Sequence, residues 1–296
     1  MFTATLLTNP TTPVLDRTTV ESLRNAWGGG DAVWLNPAIA AEFPVQAMPG
    51  NRWEAWQGLQ ALGIDLVVQP TESRRKKLLL ADMDSTMIQQ ECIDELAAEA
   101  GVGAHVADIT ARAMNSELDF NAALRERVGL LKGLPEAAIE RVFANRITLM
   151  PGGPVLLATM KAHGARTALV SGGFTEFTGR VAQLLGFDEN RANVLHIENG
   201  VLTGTVAEPI LGREAKVQAL KELTAQMGIT PAEAIAVGDG ANDLGMLGLA
   251  GMGVALHAKP AVAAPASRAS FDRPTLRCLA RQNCAILQGR IAAFAP

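Results

Sequence analysis

Asp82 and Asp84 stand two residues apart, with Ser85 and Thr86 behind them and the apolar run Leu78-Leu79-Leu80-Ala81 in front. An apolar run of that length ahead of a break reads as a buried parallel strand. Open α/β sheets bind their ligands at the carboxyl ends of such strands. Two carboxylates and two hydroxyls placed there suit a metal-assisted attack by aspartate on phosphorus. Two plainer uses compete. A calcium loop starting at Asp82 would need Gly at its sixth position and Glu at its twelfth, which are Met87 and Ile93 here. Asp84-Ser85-Thr86 can also cap the following helix, and this segment alone does not choose between capping and chemistry.

A second acidic cluster lies downstream. Ala234-Ile235-Ala236-Val237 runs into Gly238-Asp239-Gly240-Ala241-Asn242-Asp243. A dinucleotide fingerprint needs Gly at the sixth position, where Asp243 stands, and bare carboxylates repel a pyrophosphate. Acids beside a phosphate serve instead to hold a cation between them, although an ordinary Gly/Asn/Asp turn has the same composition. Between the clusters, Ala168-Leu169-Val170 leads into Ser171-Gly172-Gly173. There a hydroxyl and glycine N–H groups could approach phosphate oxygens; a flexible loop is the plainer alternative. Lys216, in Gly212-Arg213-Glu214-Ala215-Lys216, is unremarkable in isolation, because mid-helix lysines are mostly solvated.

Taken in order, D-x-D-S-T, S-G-G, a lone lysine and G-D-G-x-N-D resemble the haloacid dehalogenase superfamily of aspartate-dependent phosphotransferases. Within it, D-M-D-S-T-M-I-Q-Q-E-C-I-D-E-L-A, L-D-F-N-A-A-L-R-E-R-V, L-V-S-G-G-F and V-G-D-G-A-N-D resemble the phosphoserine phosphatase family over residues 76 to 290. That resemblance implies Mg²⁺ held by Asp82, Asp84 (through its backbone carbonyl) and Asp239. It implies Asp82 as nucleophile, Asp84 as acid and base, and Lys216 as a catalytic cation. Lys216, Ser171 and Gly172 would hold the phosphate, Asn242 would contact the substrate, and Asp243 would position Lys216 or a metal-bound water. Glu91 would meet the substrate ammonium and Arg127 its carboxylate. Met114 and Phe120 would line the pocket or serve as cap core. Glu91 is otherwise an ordinary surface acid, and Arg127 otherwise covers the stripe of Leu124, Val128 and Leu131. The expected reaction is hydrolysis of phosphoserine, at the end of serine biosynthesis, through an aspartyl-phosphate. Another small phosphomonoester as substrate, or a regulatory ligand-binding protein with an inactive phosphatase domain, are the alternatives; intact Asp82, Asp84, Lys216 and Asp239 argue against the last.

The elements that position these residues read as three regions. From residue 78 onward, strands at 78–81, 166–170 and 234–237 alternate with helices such as 154–163, 174–186 and 214–227, the pattern of a doubly wound parallel α/β sheet. Residues 88–149 are helical and exceed what one crossover needs, so they read as an inserted cap that supplies a lid. Asn199-Gly200 signals a hairpin. Residues 1–74 read as a small α+β domain, ACT-like by resemblance, with strands at 3–7 and 65–69 and helices near 18–27 and 52–62; residues 75–296 form the phosphatase domain.

Composition narrows the class. The chain has 296 residues, 48% hydrophobic and 19% charged, with net charge −4, which is globular and sufficient for a large core. Its one basic run, Arg74-Arg75-Lys76-Lys77, reads as a solvated linker, so nucleic acid is not an expected partner. The start lacks a secretory pattern, and no apolar stretch is long enough to span a bilayer. Cys92, Cys278 and Cys284 lack metal or disulfide spacing, and His105, His163, His196 and His257 lack ligand spacing. These features point to a cytoplasmic enzyme with a small-molecule substrate, and they leave a homodimer open.

Overall fold

The computed structural model describes residues 1–72, 74–114, 118–256 and 275–278, excluding the side chains of residues 113, 114 and 275–278. The expectations for the Met114 side chain, His257, and the Cys278 and Cys284 thiols lie outside the described residues. The described residues form two compact units. One draws on Met1–Leu79, Pro151–Arg166 and Lys221–Pro296, the other on Leu80–Met150 and Thr167–Leu220.

The chain opens with β1 (Phe2–Thr8), α1 (Arg17–Ala26), β2 (Val33–Asn36), β3 (Ala40–Val45), α2 (Arg52–Gln60) and β4 (Ile64–Pro70). These strands form an antiparallel sheet in the order β2-β3-β1-β4, the split βαβ arrangement. Helix α1 begins where Asp16 accepts the Thr19 N–H at 2.7 Å. One face of the sheet carries Ala4, Leu6, Phe43, Leu66 and Val68 into a core with Val20, Trp56 and Leu59. The sequence pattern marks only β1 and β4 of these strands. Pro44 disguises β3, since proline argues against an internal strand; it is tolerated because β2 pairs only with Ala40–Glu42 and ends before it. The basic run is solvated at Arg75 and Lys77 and half-buried at Arg74 and Lys76, and three of its side chains are engaged. Arg74 pairs with Glu42 at 2.7 Å, Lys77 with Glu233 at 2.7 Å, and Lys76 donates to the Ala232 carbonyl at 2.9 Å.

Next come β5 (Leu78–Ala81), α3 (Cys92–Glu99), α4 (Gly103–Met114), α5 (Phe120–Gly129), α6 (Ala137–Arg146), α7 (Gly153–Ala162), β6 (Arg166–Phe174) and α8 (Thr175–Leu185). After them follow β7 (Glu189–Asn193), β8 (Leu195–Glu198), β9 (Val201–Val206), α9 (Arg213–Gln226), β10 (Ala234–Gly238), α10 (Leu244–Leu249), β11 (Met252–Leu256) and β12 (Thr275–Cys278). The larger sheet runs β12-β11-β10-β5-β6-β7, with parallel pairing at β11–β12, β10–β11 and β6–β7. Strand β5 is buried at every residue, as a parallel strand covered on both faces must be. Strands β8 and β9 form the separate ribbon, turned by Asn199 at φ 52° and Gly200 at φ 76°, the left-handed pair that a two-residue hairpin requires.

Helices α3 to α6 are the insertion between β5 and β6. The chain enters and leaves it through paired segments: the Gln89 N–H donates to the Thr148 carbonyl and the Met150 N–H to the Met87 carbonyl, both at 2.9 Å. Apolar faces of α3, α5 and α6, including Leu96, Leu124, Val128 and Ile139, join Leu169, Phe174 and Phe177 in one core. Full burial of side chains this size contributes roughly 1.5–3 kcal/mol each, so the cap is a packed element and not a loose loop. Among the described residues, no helix is long and apolar enough to cross a membrane.

Candidate active site

Strand β5 delivers Asp82 and Asp84 into different surroundings. Asp82 is buried, and both of its carboxylate oxygens are held. Its Oδ1 accepts the Met83 N–H at 2.8 Å, and its Oδ2 pairs with Lys216 Nζ at 2.8 Å. Lys216 projects from α9 and is fully buried; a lysine is so rarely buried without a charge partner that this pairing is the reason it can lie there. Its role was invisible in the sequence apart from motif order, and the structure places it on Asp82.

After Asp84 the chain turns sharply. Ser85 adopts φ 53°, a left-handed conformation uncommon for a residue other than glycine. That turn directs the Asp84 carboxyl to the start of α3, where Oδ1 accepts the Cys92 N–H at 3.0 Å, while Oδ2 lies 3.4 Å from the Ser171 hydroxyl. Burial, followed by the nearby Glu91 charge, pushes the Asp84 carboxyl up to about 7; hydrogen bonds from Cys92 and the Lys216 charge oppose this. Asp84 supplies an acceptor to the first N–H of α3, but the N-cap position is Glu91, so the capping reading holds only in part. Burial also shifts this carboxyl toward its protonated form, which a helix acceptor does not require.

Ser171, Gly172 and Gly173 belong to β6 rather than to a loop after it. The pairing register of β6 with β7 shifts between Val170 and Phe174, so these residues stay extended while leaving the regular ladder. A Cβ on Gly173 would lie 2.6 Å from Asp84 Oδ2, and one on Gly172 would lie 3.0 Å from the Phe120 ring. A side chain at residue 173 would therefore displace the Asp84 carboxyl, whereas one at residue 172 would need the Phe120 ring to give by a few tenths of an ångström. Phe120 is placed by Asp119, whose carboxylate accepts the Asn121 and Ala122 N–H groups at 2.8 and 3.0 Å and starts α5.

The cap contributes one charge of each sign. Glu91 accepts from the Ser85 hydroxyl at 2.8 Å. Arg127, half-buried on α5, donates through Nε to the Ala123 carbonyl at 3.2 Å. Burial lowers its guanidinium pKa, while Asp94, Glu91 and Asp84 raise it in that order. Glu91, Arg127 and Asp84 thus share one electrostatic neighbourhood.

On the loop after β10, Asp239 and Asp243 are buried and Asn242 is half-buried. Asp243 accepts the Gly240 N–H at 2.9 Å, which fixes the turn. One carboxylate oxygen from each of Asp82, Asp239 and Asp243 lies within 4.8 Å of the others. Three buried, oxygen-only donors fit a small hard cation, and without positive charge their mutual repulsion would be costly. Sequence reasoning missed Asn193, which lies at the end of β7 and binds both Gly172 and Leu211; a single asparagine in a short segment carries no signal.

A parallel α/β sheet with a helical insertion, and paired aspartates at one strand end facing a buried lysine, is the arrangement of a phosphoryl-transfer hydrolase. The chain belongs to the haloacid dehalogenase-like hydrolases, whose family model matches residues 79–248. The phosphoserine phosphatase of Archaeoglobus fulgidus is 47% identical over 202 residues, which is 68% of this chain and 58% of that protein. Our chain therefore spans under two thirds of that relative. A HAD-family hydrolase of Salmonella enterica matches with TM-score 0.78 and 32% identity, over 89% of this chain and 92% of that one. A phosphoserine phosphatase in the form of a phospho-aspartyl intermediate analogue matches with TM-score 0.60 and 41% identity, over 64% of this chain and 90% of that one.

Proposed function

We propose that this protein is a cytoplasmic, Mg²⁺-dependent phosphoserine phosphatase acting at the end of serine biosynthesis, with residues 1–74 as a separate N-terminal domain. The observation that carries the reading is the divergence of the two β5 aspartates. Asp82 is ion-paired with Lys216 at 2.8 Å, whereas Asp84 is pushed up to about 7. A carboxylate held by a lysine cation, beside a carboxyl that burial shifts toward its neutral form, suits a nucleophile paired with a proton carrier.

In the first half-reaction an Asp82 carboxylate oxygen bonds to phosphorus and the ester P–O bond of phosphoserine breaks. The leaving serine oxygen takes the Asp84 proton. In the second, Asp84, now ionised, removes a proton from water as its oxygen attacks phosphorus; the bond from Asp82 to phosphorus breaks and the carboxylate is restored. Asp82 and Asp239, with the Asp84 backbone carbonyl, would hold Mg²⁺, which supplies neutralising charge between the anionic phosphate and the anionic nucleophile. Lys216, the Ser171 hydroxyl and the backbone at Gly172 bind the non-bridging oxygens. Asp243 holds the β10 loop, and Asn242 on it contacts substrate. Arg127 clamps the substrate carboxylate and Glu91 the ammonium, a pairing of charges suited to an amino-acid phosphate.

The test is phosphate release from a panel of phosphorylated amino acids and sugars, with and without Mg²⁺. Release should be fastest from phosphoserine, depend on Mg²⁺ and vanish in Asp82→Asn. Preference for a sugar phosphate would refute the substrate assignment.

A further inference from the structure

We infer that Asn193 is a positioning residue that locks the two halves of the phosphate-holding site to one another. The inference rests on the reading of Ser171, Gly172 and Lys216 given above.

The observations start in the sheet. Because the β6–β7 register shifts between Val170 and Phe174, strand β7 cannot supply a regular backbone partner to Gly172. The buried side chain of Asn193 does so instead, its Nδ2 donating to the Gly172 carbonyl at 2.9 Å. The same amide reaches the segment before α9: Nδ2 donates to the Leu211 carbonyl at 3.3 Å, and Oδ1 accepts the Leu211 N–H at 2.7 Å.

Each arm leads to a reacting group. The carbonyl and N–H of one peptide point in opposite directions, so fixing the Gly172 carbonyl orients the Gly173 N–H, which donates to Ser171 Oγ at 2.9 Å. The Ser171 hydroxyl in turn faces Asp84 Oδ2. On the other arm, Leu211 and Gly212 lead directly into α9, whose Lys216 meets Asp82. One amide therefore sets the serine-glycine cradle and the lysine helix in a common frame. A displacement of either by an ångström would be expected to cost roughly a hundredfold in rate.

Asn193→Asp and Asn193→Ala separate positioning from packing. The aspartate keeps the shape and the acceptor for the Leu211 N–H, but it loses both donor bonds and sets an anion against two carbonyl oxygens. The measurements are kcat/KM for phosphoserine and for p-nitrophenyl phosphate, inhibition by orthophosphate, and thermal stability. Both variants should lose roughly 10- to 100-fold in kcat/KM on both esters, in equal proportion, and should bind orthophosphate more weakly. The aspartate should be at least as impaired as the alanine. A wild-type protein that hydrolyses p-nitrophenyl phosphate but not phosphoserine removes the substrate assignment and leaves this comparison intact. Wild-type kinetics and phosphate inhibition in Asn193→Asp would overturn the positioning role, and loss of folding in both variants would overturn it by making Asn193 structural.

Discussion

Gly173→Ala is the sharpest perturbation available, because the structure specifies what the added carbon meets. A Cβ at residue 173 would stand 2.6 Å from Asp84 Oδ2, 3.1 Å from Ser171 Oγ and 3.4 Å from the Met83 methyl. Ordinary contact begins near 3.4 Å, so the Asp84 oxygen must retreat by about 0.8 Å. It cannot do so freely, since its other oxygen holds the Cys92 N–H at 3.0 Å. Residue 173 is not in the left-handed region, so alanine adds no backbone strain there. The damage should therefore fall on proton transfer and not on folding. A misplacement of this size costs roughly a hundredfold, or about 2.7 kcal/mol in the barrier. The assay is kcat/KM, which reports steps up to formation of the phosphoenzyme. For phosphoserine, whose alkoxide leaving group needs a proton, it should fall roughly a hundredfold. For p-nitrophenyl phosphate, whose leaving group needs none, the loss should be only a few-fold. Equal losses on the two esters would show that Asp84 is not the group being displaced, and no loss on either would refute the steric argument.

Lys216→Met should abolish turnover and destabilise the metal-free protein by about 3–5 kcal/mol, because the buried Asp82 carboxylate loses its lysine cation; Mg²⁺ should recover part of that loss in urea unfolding. Asp65, buried and accepting from Gln60, has its carboxyl pushed up to about 6 by burial. Between pH 4 and 6 the folded state then holds a proton that the unfolded state has released, so stability falls as pH rises through that window. Asp65→Asn should remove this fall and raise stability at pH 7.5 by up to about 3 kcal/mol, with little difference at pH 4; an unchanged urea profile across the range would contradict it. Arg127→Ala should lose roughly 10- to 100-fold in kcat/KM for phosphoserine but little for phosphoethanolamine, which lacks the carboxylate. Proportional losses on both would mean that Arg127 only packs against the cap.

How far the sequence disclosed this structure depended on whether a signal was local. Strand β5 was legible because four apolar residues end abruptly in Asp82, and the β8–β9 turn because Asn199-Gly200 permits left-handed φ at both positions. Helix α1 was found within a residue of its observed start. Strand β6 was cut short at Val170 because Gly172 and Gly173 read as a break; it continues because Phe174 pairs with Asn193 after the register shift. Strands β2 and β3 were missed since Pro44 and short lengths hide them, although long-range pairing to β1 stabilises β3. Lys216 looks like any helical lysine until the fold buries it against Asp82. Asn193 could not be found at all, because its function lies in two backbone segments that meet it only in the folded chain.

The central claim is that Asp82 carries the phosphoryl group. Acid-quenching the wild-type protein within milliseconds of mixing with phosphoserine and Mg²⁺, then mapping peptides by mass spectrometry, tests it directly. One added phosphoryl group should appear on the peptide containing Asp82, be lost on brief alkaline treatment, and be absent from Asp82→Asn. Rapid turnover with no phosphorylated Asp82 at any quench time, or with the label on another residue, would contradict the account.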